Sequence, residues 1–514
     1  MSFVKSFFTV SGFTLLSRVM GFIRDILIAA IMGAGPLAEV FLVAFKLPNF
    51  FRRLFAEGAF NAAFVPMFAG RVAKDGQEVA KKFARKIFSV LFFSLLVITL
   101  LMQIFMPYVM YVLAPGFVSK KEQFDMAVEL ARVTFPYLIF ISVASFFAAM
   151  LNSVGRFASY ASAPILLSIC MISALLFFVD DFETPAHALS WAVAVGGVVQ
   201  LLWMLLDLKK SGMTFGFCRP KLDGEVRQFL RKLAPGAIGA GVMQINLWVD
   251  IVIGTFIPSA IAYLYYADRV NQLPLSIIGI AMSAALLPVL SKQIREDKSE
   301  ESIHSQNRAL EIVLFFTLPA TAGLIFLAEP IISTLFERGE FGSDASLATA
   351  YAMIAYSVGL PAFVMVKIFS TSFFAHGDTK TPVRFAVIAM VTNLVLNISL
   401  VLLFNHLGLM AHVGIALATA FSSWLNVYML CKNLLKDERF YFDDVFKAKI
   451  WRIIVSVLVM VGAIFSAEFV VSGNQVVKLI ILISAGIIAY FASVHAFKIY
   501  EWVELKKFLR KNKS

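Results

Sequence analysis

The sequence predicts an all-α integral membrane protein of about fourteen transmembrane helices. Of its 514 residues, 60% are apolar and only 15% are charged, and the mean hydropathy is +0.83. A soluble domain averages roughly 25% charged residues, and a soluble chain of this size needs far more polar residues to cover its surface. The excess apolar surface must therefore face lipid.

Apolar stretches long enough to cross a membrane divide the chain into spans, since a spanning helix needs about 20 mainly apolar residues. Stretches without Asp, Glu, Lys or Arg are 87–119, 133–155, 157–179, 188–206, 270–291, 345–366 and 479–497, and shorter ones are 233–249, 251–267, 312–328 and 453–467. The stretch 385–431 is divided by a predicted turn at Asn405-His406-Leu407-Gly408. Two further spans, near 6–32 and 37–69, carry charges.

The basic residues predict the orientation of these spans. With a cytoplasmic N-terminus and every span crossing, Lys5, the cytoplasmic loops and the C-terminal tail hold 33 of the 45 Lys and Arg residues. The opposite side holds about four: Lys120, Lys121, Arg338 and Lys478. This asymmetry satisfies the positive-inside rule and places both termini in the cytoplasm. The net charge of +12 therefore reflects topology and anionic headgroups, and we expect no binding to nucleic acid.

Two kinds of motif that carry chemistry elsewhere are missing from the sequence. The three cysteines (Cys170, Cys218 and Cys431) are far apart, and the six histidines are scattered. Zinc clusters, iron–sulfur sites and disulfide frameworks are therefore not predicted. Since the chain also has no phosphate-binding G-x-x-x-x-G-K-[ST] loop, we do not expect it to hydrolyse nucleotides.

An internal repeat predicts how the spans are grouped. The segment 61–66 recurs as 283–288, and each copy follows a Leu-Pro pair, at 47–48 and 273–274. The copies fall in the second and eighth spans, which have the same orientation, so two six-helix lobes related by a parallel repeat are expected. The predicted divisions are an N-terminal lobe at 1–210, a C-terminal lobe at 211–440, two further helices at 441–500 and a basic cytoplasmic tail at 501–514.

Charged residues inside predicted spans are the strongest functional signal. Each costs about 2.5–3.5 kcal/mol at mid-membrane, and such residues usually face a bundle interior or a wet cavity. Pro48 is expected to break or kink the second span between two of these charges. Those in the first, second and eighth spans are Arg18, Arg24, Asp25, Glu39, Lys46, Arg52, Arg53, Glu57, Asp268 and Arg269.

The sign of this set favours an anionic ligand. Six of its members are basic and four are acidic, and the forked guanidinium of arginine suits phosphate oxygens. The alternative is that the charges only pair with each other, for example Arg24 with Glu39 or Asp268 with Arg269. For Arg132 and Lys367, in the fourth and tenth spans, local pairing or snorkelling is the stronger interpretation.

A second polar set predicts either a cation site or simple helix contacts. Asp250 lies in the seventh span, and Asn393 and Asn397 are four residues apart in the eleventh. Their oxygens could hold a small cation such as Na⁺. Interhelical hydrogen bonding is the competing interpretation.

Several motifs resemble a known family. They are the run Ser17-Arg18-Val19-Met20-Gly21-Phe22-Ile23-Arg24-Asp25, then 41–49 (FLVAFKLPN) and 52–60 (RRLFAEGAF), with further matches at 114–117 (APGF), 265–269 (YYADR), 355–359 (AYSVG) and 380–383 (KTPV). Together these motifs are similar to the MurJ/MviN lipid II flippases of the MOP exporter superfamily. The similarity extends over essentially the whole chain.

The resemblance implies a fold and a function. It implies fourteen helices in two lobes, V-shaped around a central cationic cavity, with the last two helices forming a groove for a polyprenyl tail. It also implies alternating access that carries lipid II, a polyprenyl diphosphate-linked peptidoglycan precursor, from the inner to the outer leaflet of the bacterial cytoplasmic membrane. Lipid II and membrane lipids are then the expected partners, and the protein is expected to be a monomer.

The resemblance also implies roles for individual residues. Arg18, Arg24, Arg52, Arg53 and Arg269 match the family's cavity arginines. We hypothesise that Arg24, Arg53 and Arg269 hold the diphosphate, that Arg18 and Arg52 support or gate, and that Asp25, Glu39 and Glu57 position the arginines. Glu39 occupies a position where the family usually has Asp, and Asp250, Asn393 and Asn397 are similar to a sodium site proposed in some members.

Alternative functions remain in view from the sequence. One is a flippase for another polyprenyl-linked glycan, and another is a MATE-like cation-coupled drug exporter, which the excess of arginine disfavours. An enzyme acting on the same lipid would need a catalytic acid or base at one membrane face, and no such constellation stands out. We therefore predict a transporter that catalyses no covalent chemistry.

Overall fold

The computed structural model describes residues 3–55, 59–153, 155–156, 158–213, 216–471 and 473–499. Within these ranges the side chains at 3–11, 53–55, 59, 61–62, 235–240, 242–243, 277 and 280–281 are not described. The described part of the chain is almost entirely helical. Glu57 and the tail at 501–514 lie outside it.

The helices of the first half follow one another through short connections. They are α1 (Phe3–Met32), α2 (Pro36–Phe55), α3 (Ala59–Asp75), α4 (Gln77–Leu113), α5 (Lys121–Thr134), α6 (Tyr137–Ser153), α7 (Ala158–Phe177), α8 (Pro185–Lys210) and α9 (Gly224–Gly254). Acceptor side chains at the residues before α8 and α9 cap those helices: Thr184 accepts from the backbone N–H of His187, and Asp223 from that of Val226.

The second half continues the same pattern. Its helices are α10 (Ala260–Arg295), α11 (Ser299–Phe326), α12 (Ala328–Phe336), α13 (Ser343–Ala375), α14 (Lys380–His406), α15 (Ala411–Lys436), α16 (Asp444–Val470) and α17 (Gln475–Ala496). The turn predicted at 405–408 is confirmed, because α14 ends at His406 and α15 begins at Ala411.

Many of these helices are long and apolar enough to cross a membrane. In the described residues there are ten such segments: α4, α5 with α6, α7, α8, α11, α13, α14, α15, α16 and α17. Four further predicted spans, in α1, α2–α3, α9 and α10, are not among these ten. The fold class is thereby confirmed as all-α and multi-pass, and the count of fourteen spans stays a prediction.

The chain divides into two compact units. Unit 1 comprises Met1–Ala262 with Arg338–Phe341, and unit 2 comprises Tyr263–Glu337 with Gly342–Ser514. Unit 1 thus holds α1 to α9 and the first residues of α10, and unit 2 holds the rest of α10 and α11 to α17. The lobe boundaries predicted from the sequence stay a prediction.

Each unit contains a deeply buried helix. In unit 1 it is α6, whose side chains are buried from Tyr137 to Leu151 with few exceptions. In unit 2 it is α13, which is rich in buried Ala, Ser and Thr, small side chains that allow close helix packing. The two helices belong to the fourth and tenth predicted spans, and the parallel repeat stays a prediction.

Phenylalanine side chains form much of the core of unit 1. The ring of Phe64 on α3 lies 5.4 Å from those of Phe60 and Phe68 and 5.0 Å from that of Phe146 on α6. All four side chains are at most 1% exposed. Such aromatic clusters combine a large buried apolar area with favourable ring-on-ring geometry.

Of the two outcomes predicted at Pro48, a break or a kink, the break is wrong, because α2 runs through Pro48 from Pro36 to Phe55. The kink stays a prediction. Proline has no backbone N–H to bond the carbonyl four residues earlier, which here is that of Ala44. The hydroxyl of Thr134, at the end of α5, donates to the Ala44 oxygen at 2.9 Å instead. A neighbouring helix thus satisfies the acceptor that proline leaves, as is usual for proline in membrane helices.

One end of unit 1 is closed by backbone contacts. The turn Arg338–Phe341 packs against the C-terminal end of α1, where the N–H of Glu340 donates to the carbonyl of Ala30 at 2.9 Å. Gly33 and Gly339 both have positive φ, 63° and 57°. A Cβ at Gly339 would lie 2.1 Å from the Ala30 oxygen, and one at Gly33 would lie 2.5 Å from the Glu340 oxygen. We call this contact the glycine end.

Ion pairs tie the other end of unit 1. Lys86 on α4 donates to Asp223 at 2.6 Å and to Glu225 at 2.8 Å. Arg71 on α3 donates to Glu225 at 2.9 Å, and its guanidinium lies 3.9 Å from the ring centre of Phe83. These contacts hold the first turn of α9 against α3 and α4. We call them the charged end.

Candidate functional site

Arg24 and Asp25 form a buried ion pair on α1. Two guanidinium nitrogens of Arg24, Nε and Nη2, donate to one oxygen of Asp25 at 3.0 and 2.8 Å. The residues are 7% and 1% exposed. Burying an isolated charge in a membrane protein is expensive, and a bonded opposite charge reduces that cost. Asp25 therefore fixes the position of the Arg24 side chain.

Two apolar side chains also contact Arg24. Its guanidinium carbon lies 5.7 Å from the ring centre of Phe45 on α2, a cation–π distance. Its Nη1 lies 3.9 Å from the sulfur of Met171 on α7. Three helices of unit 1 thus meet at this arginine.

The remaining predicted charges of α1 and α2 are less buried. Arg18 is exposed, and Lys46 and Arg52 are half-buried. Arg52 Nε donates to the side-chain oxygen of Asn49 at 3.2 Å, and the Asn49 amide donates to the carbonyl of Phe45 at 2.9 Å. Arg52 is thereby attached to the backbone of α2. The Arg53 side chain and the whole of Glu57 lie outside the described residues.

Glu39 binds the start of another helix. Its side chain is buried, and its Oε1 accepts from the backbone N–H of Ile261 at 3.1 Å. Ile261 is the second residue of α10, where backbone N–H groups have no partner within the helix and favour a negative charge. Glu39 therefore caps α10 from α2.

Arg269 lies on α10 beside an aromatic ring. Its guanidinium carbon is 4.6 Å from the ring centre of Tyr265, and its Nη2 donates to the Tyr265 hydroxyl at 3.0 Å. The neighbouring carboxylate of Asp268 accepts a short hydrogen bond from Gln272. Both contacts join residues four apart in unit 2.

The predicted cation ligands fall in different units. Asp250 belongs to α9 of unit 1, and Asn393 and Asn397 are fully buried on α14 of unit 2. Asn397 donates to the Asn393 side-chain oxygen at 3.0 Å, and Asn393 donates to Thr419 on α15 at 3.2 Å. Among the residues that the structure describes, no cluster of three or more His, Cys, Asp or Glu could hold a metal ion. The sodium site stays a prediction.

Sequence reasoning did not identify several residues that hold the charged ones in place. Asn49, Thr134 and Met171 have polar or soft side chains in apolar helices, a pattern too common to single them out. The contact of Glu39 with α10 joins positions 222 residues apart. Only Tyr265 had a readable signal, since it lies four residues before Arg269 and thus on the same helix face.

Comparison with known proteins decides the family. A family model described as "Lipid II flippase MurJ" matches residues 28–486. The chain belongs to this family. Glu39, Lys46, Arg52 and Arg269 lie within the matched range, whereas Arg18, Arg24 and Asp25 precede it.

Individual relatives support this membership. The chain is 43% identical over 468 residues to the probable lipid II flippase MurJ of Rhizobium tropici. This match covers 90% of this chain and 87% of the relative. A solved structure of a lipid II flippase MurJ in an inward closed conformation has 27% identity and a TM-score of 0.81, and the match covers 95% of this chain and 98% of that one.

A more distant structure shares the fold alone. An inward-facing multidrug resistance MATE family transporter of the MOP superfamily has a TM-score of 0.65 at 16% identity, covering 84% of this chain and 97% of that one. The MurJ family is a family of transporters and not of enzymes. The chain is therefore a multi-pass inner-membrane transporter, as the sequence predicted, and it shares its fold with this MATE transporter.

Proposed function

We propose that this protein flips lipid II from the inner to the outer leaflet of the bacterial cytoplasmic membrane by alternating access, for cell-wall synthesis. The observation that carries the proposal is the match of residues 28–486 to the lipid II flippase family. The physical task agrees with it, because a diphosphate-linked sugar-peptide head cannot enter hydrocarbon unaided. It needs a wet, positively charged path, while the polyprenyl tail remains in lipid.

The arginines are proposed to bind the diphosphate. Arg24, Arg53 and Arg269 hold its oxygens, and Arg18 and Arg52 support or gate, with Lys46 adding positive charge. The contacts of two of these residues support this assignment. Arg24 is oriented by Asp25, and Arg269 by Tyr265, so each guanidinium is fixed before any ligand arrives, which lowers the entropic cost of binding.

The acids are proposed to position the machinery. Asp25 orients Arg24, and Glu39 attaches α2 to the start of α10. Glu57 is assigned the same class of role from its place in the motif at 52–60. None of these residues needs to take part in covalent chemistry, since transport makes and breaks no bond.

The orientation follows from the basic residues. Lys86, Asp223 and Glu225 of the charged end belong to loops of the predicted basic side, which holds 33 of the 45 Lys and Arg. We propose on that ground that this end faces the cytoplasm, together with both termini. The glycine end then faces the periplasm. The helices at 441–500 are proposed to accommodate the polyprenyl tail, and the protein is proposed to act as a monomer.

The test measures outer-leaflet exposure of lipid II in bacteria depleted of their own flippase and expressing this chain. Wild type should restore exposure, and Arg24→Ala and Arg269→Ala at equal abundance should each reduce it at least tenfold. Arg132→Ala is the matched control, because Arg132 is also an arginine of a predicted span but donates to the backbone carbonyl of Gln103 at 3.2 Å. It should retain exposure.

The possible outcomes test the identity of the transported lipid separately from the role of the arginines. Failure of well-folded wild type to restore exposure would contradict lipid II as the cargo and favour another polyprenyl-linked glycan. Restoration by wild type and by both arginine variants would contradict the assigned role of the arginines.

A further inference from the structure

On α10, the side chain of Tyr265 contacts the guanidinium of Arg269 through both its ring and its hydroxyl. The Tyr265 ring lies 4.6 Å from the Arg269 guanidinium carbon, and the Tyr265 hydroxyl accepts from Nη2 at 3.0 Å. Tyr265 is only 5% exposed, whereas Arg269 is half-buried. Spacing of four residues places both side chains on one face of the helix, one turn apart.

The contact between Tyr265 and Arg269 differs in chemistry from the contact between Asp25 and Arg24. Arg24 is held by the carboxylate of Asp25, which offsets its charge. The tyrosine that holds Arg269 is neutral, so this contact orients the guanidinium without cancelling its positive charge. A ring over the guanidinium face uses none of its five N–H donors, and the hydroxyl accepts from only one nitrogen.

The tyrosine itself is held by further aromatic packing. Its ring meets that of Tyr266 edge-on at 5.5 Å, and Tyr266, which is fully buried, lies 5.2 Å from the ring of Phe336 on α12. This chain of rings lies wholly in unit 2. Because Tyr265 is fixed from behind, it limits the directions in which Arg269 can point.

We propose that Tyr265 is a positioning residue for diphosphate recognition, acting through Arg269. The inference rests on the proposed function, and it extends that function by naming a side chain that orients one arginine for phosphate oxygens. A bidentate contact between guanidinium and phosphate requires a fixed plane and direction. The tyrosine supplies both.

The experiment compares Tyr265→Phe and Tyr265→Leu with wild type in the full-length protein. Two quantities are measured: affinity for undecaprenyl diphosphate in detergent, and the half-saturating lipid II concentration for flipping in proteoliposomes. Tyr265→Phe keeps the ring and loses the hydroxyl, so affinity should fall about threefold to tenfold. Tyr265→Leu loses both contacts, so its affinity should fall further. The maximal flipping rate should change little in either variant.

Tyr428→Leu is the matched control. Tyr428 and Lys432 on α15 also form a ring–cation pair four residues apart, at 5.5 Å, but Tyr428 is 57% exposed. Its removal should leave both affinity and half-saturation unchanged. An equal loss of affinity in this control would overturn the assignment of a specific role to Tyr265.

A double-mutant cycle tests whether Tyr265 acts through Arg269. In an Arg269→Ala background, Tyr265→Leu should cause no further loss of affinity for undecaprenyl diphosphate. If Tyr265→Leu reduces affinity by the same factor with and without Arg269→Ala, the proposal is overturned. Unchanged affinity in both Tyr265→Phe and Tyr265→Leu would also overturn it. The binding measurement stands without transport, so wild type that binds the diphosphate but flips no lipid II would contradict the proposed function while still testing Tyr265.

Discussion

The two ends of unit 1 are held by opposite kinds of interaction. At the glycine end, the turn at 338–341 meets α1 through backbone atoms, and Gly33 and Gly339 allow the approach because they have no side chain. At the charged end, Lys86, Asp223 and Glu225 meet through side chains that are each more than a third exposed. One contact depends on shape, and the other depends on charge in partial contact with water.

The two ends should respond differently to ionic strength and to substitution. A backbone contact contains no titratable group and is little affected by salt, whereas half-exposed ion pairs weaken as ionic strength rises. The backbone contact at the glycine end should therefore be sensitive to substitution and little affected by salt. The charged end should be less sensitive to substitution and more sensitive to salt.

The largest expected effect is at the glycine end. In Gly339→Ala, the new Cβ would meet the Ala30 oxygen at 2.1 Å, so the turn must move and its hydrogen bond to Ala30 is lost. We expect the free energy of unfolding to fall by about 2–4 kcal/mol, the sum of the left-handed backbone cost and the lost contact. Thermal unfolding of the purified protein in detergent measures this change.

Gly377→Ala separates the two parts of that effect. Gly377 also has positive φ, 76°, but a Cβ there would have no atom within 4 Å. This variant should lose only the backbone part, about 1–2 kcal/mol. Equal losses in Gly377→Ala and Gly339→Ala would mean that the close approach to α1 contributes nothing.

A smaller effect is expected from Glu39, which acts at the same end as the glycines. Glu39→Ala removes the acceptor for the Ile261 N–H, and loss of a helix cap costs about 1–2 kcal/mol. Thermal unfolding should show this loss, and Glu39→Gln should recover most of it because the amide oxygen can still accept. If Glu39→Gln is as unstable as Glu39→Ala, charge and not the hydrogen bond is the important property.

The smallest effect is expected at the charged end. Lys86→Met removes both ion pairs, and since these groups are partly exposed the loss should be below about 1 kcal/mol in low salt. The difference between Lys86→Met and wild type should shrink as salt is added, whereas that between Gly339→Ala and wild type should not. Lys447→Met, which removes an exposed pair with Asp444, is the control and should have almost no effect.

The charged end should also respond to acid. The hydrogen bond from Lys86, helped by the backbone N–H of Val226, lowers the pKa of Asp223 below its ordinary value. A lowered pKa in the folded state contributes stability that is complete above the ordinary value of about 4 and is lost as pH falls through the lower, folded value. The stability difference between wild type and Lys86→Met should therefore hold from pH 7 to 5 and disappear in stronger acid. A constant difference down to pH 2 would contradict this assignment.

Much of the fold could be predicted because the signals are local. Apolar runs locate the helices, and Asn405 to Gly408 locate a turn, since both depend on neighbours in sequence. Pro48 shows the limit of local reasoning. Its missing N–H was visible, but the hydroxyl of Thr134 that accommodates it comes from 90 residues away, and so the predicted break does not occur.

The candidate site shows the same limit. The sequence located the charges on α1 and α2 and favoured an anionic ligand. It could not show that Glu39 reaches Ile261, since no pattern within α2 specifies a partner on α10. The pairing of Arg24 with Asp25, its neighbour, was equally hidden, because adjacent residues on a helix point in different directions and meet only when their side chains are long enough.

The glycine end also has a consequence for the order of assembly. Gly33 is made early, but the turn that packs against it lies more than three hundred residues later in the chain. Domains generally fold from the N-terminus as synthesis proceeds, yet unit 1 cannot be completed until residue 341 has been made and inserted. Until then the carbonyl of Ala30 lacks the N–H of Glu340, so a nascent chain that stops before α13 should carry a first unit that is inserted but still open at this end.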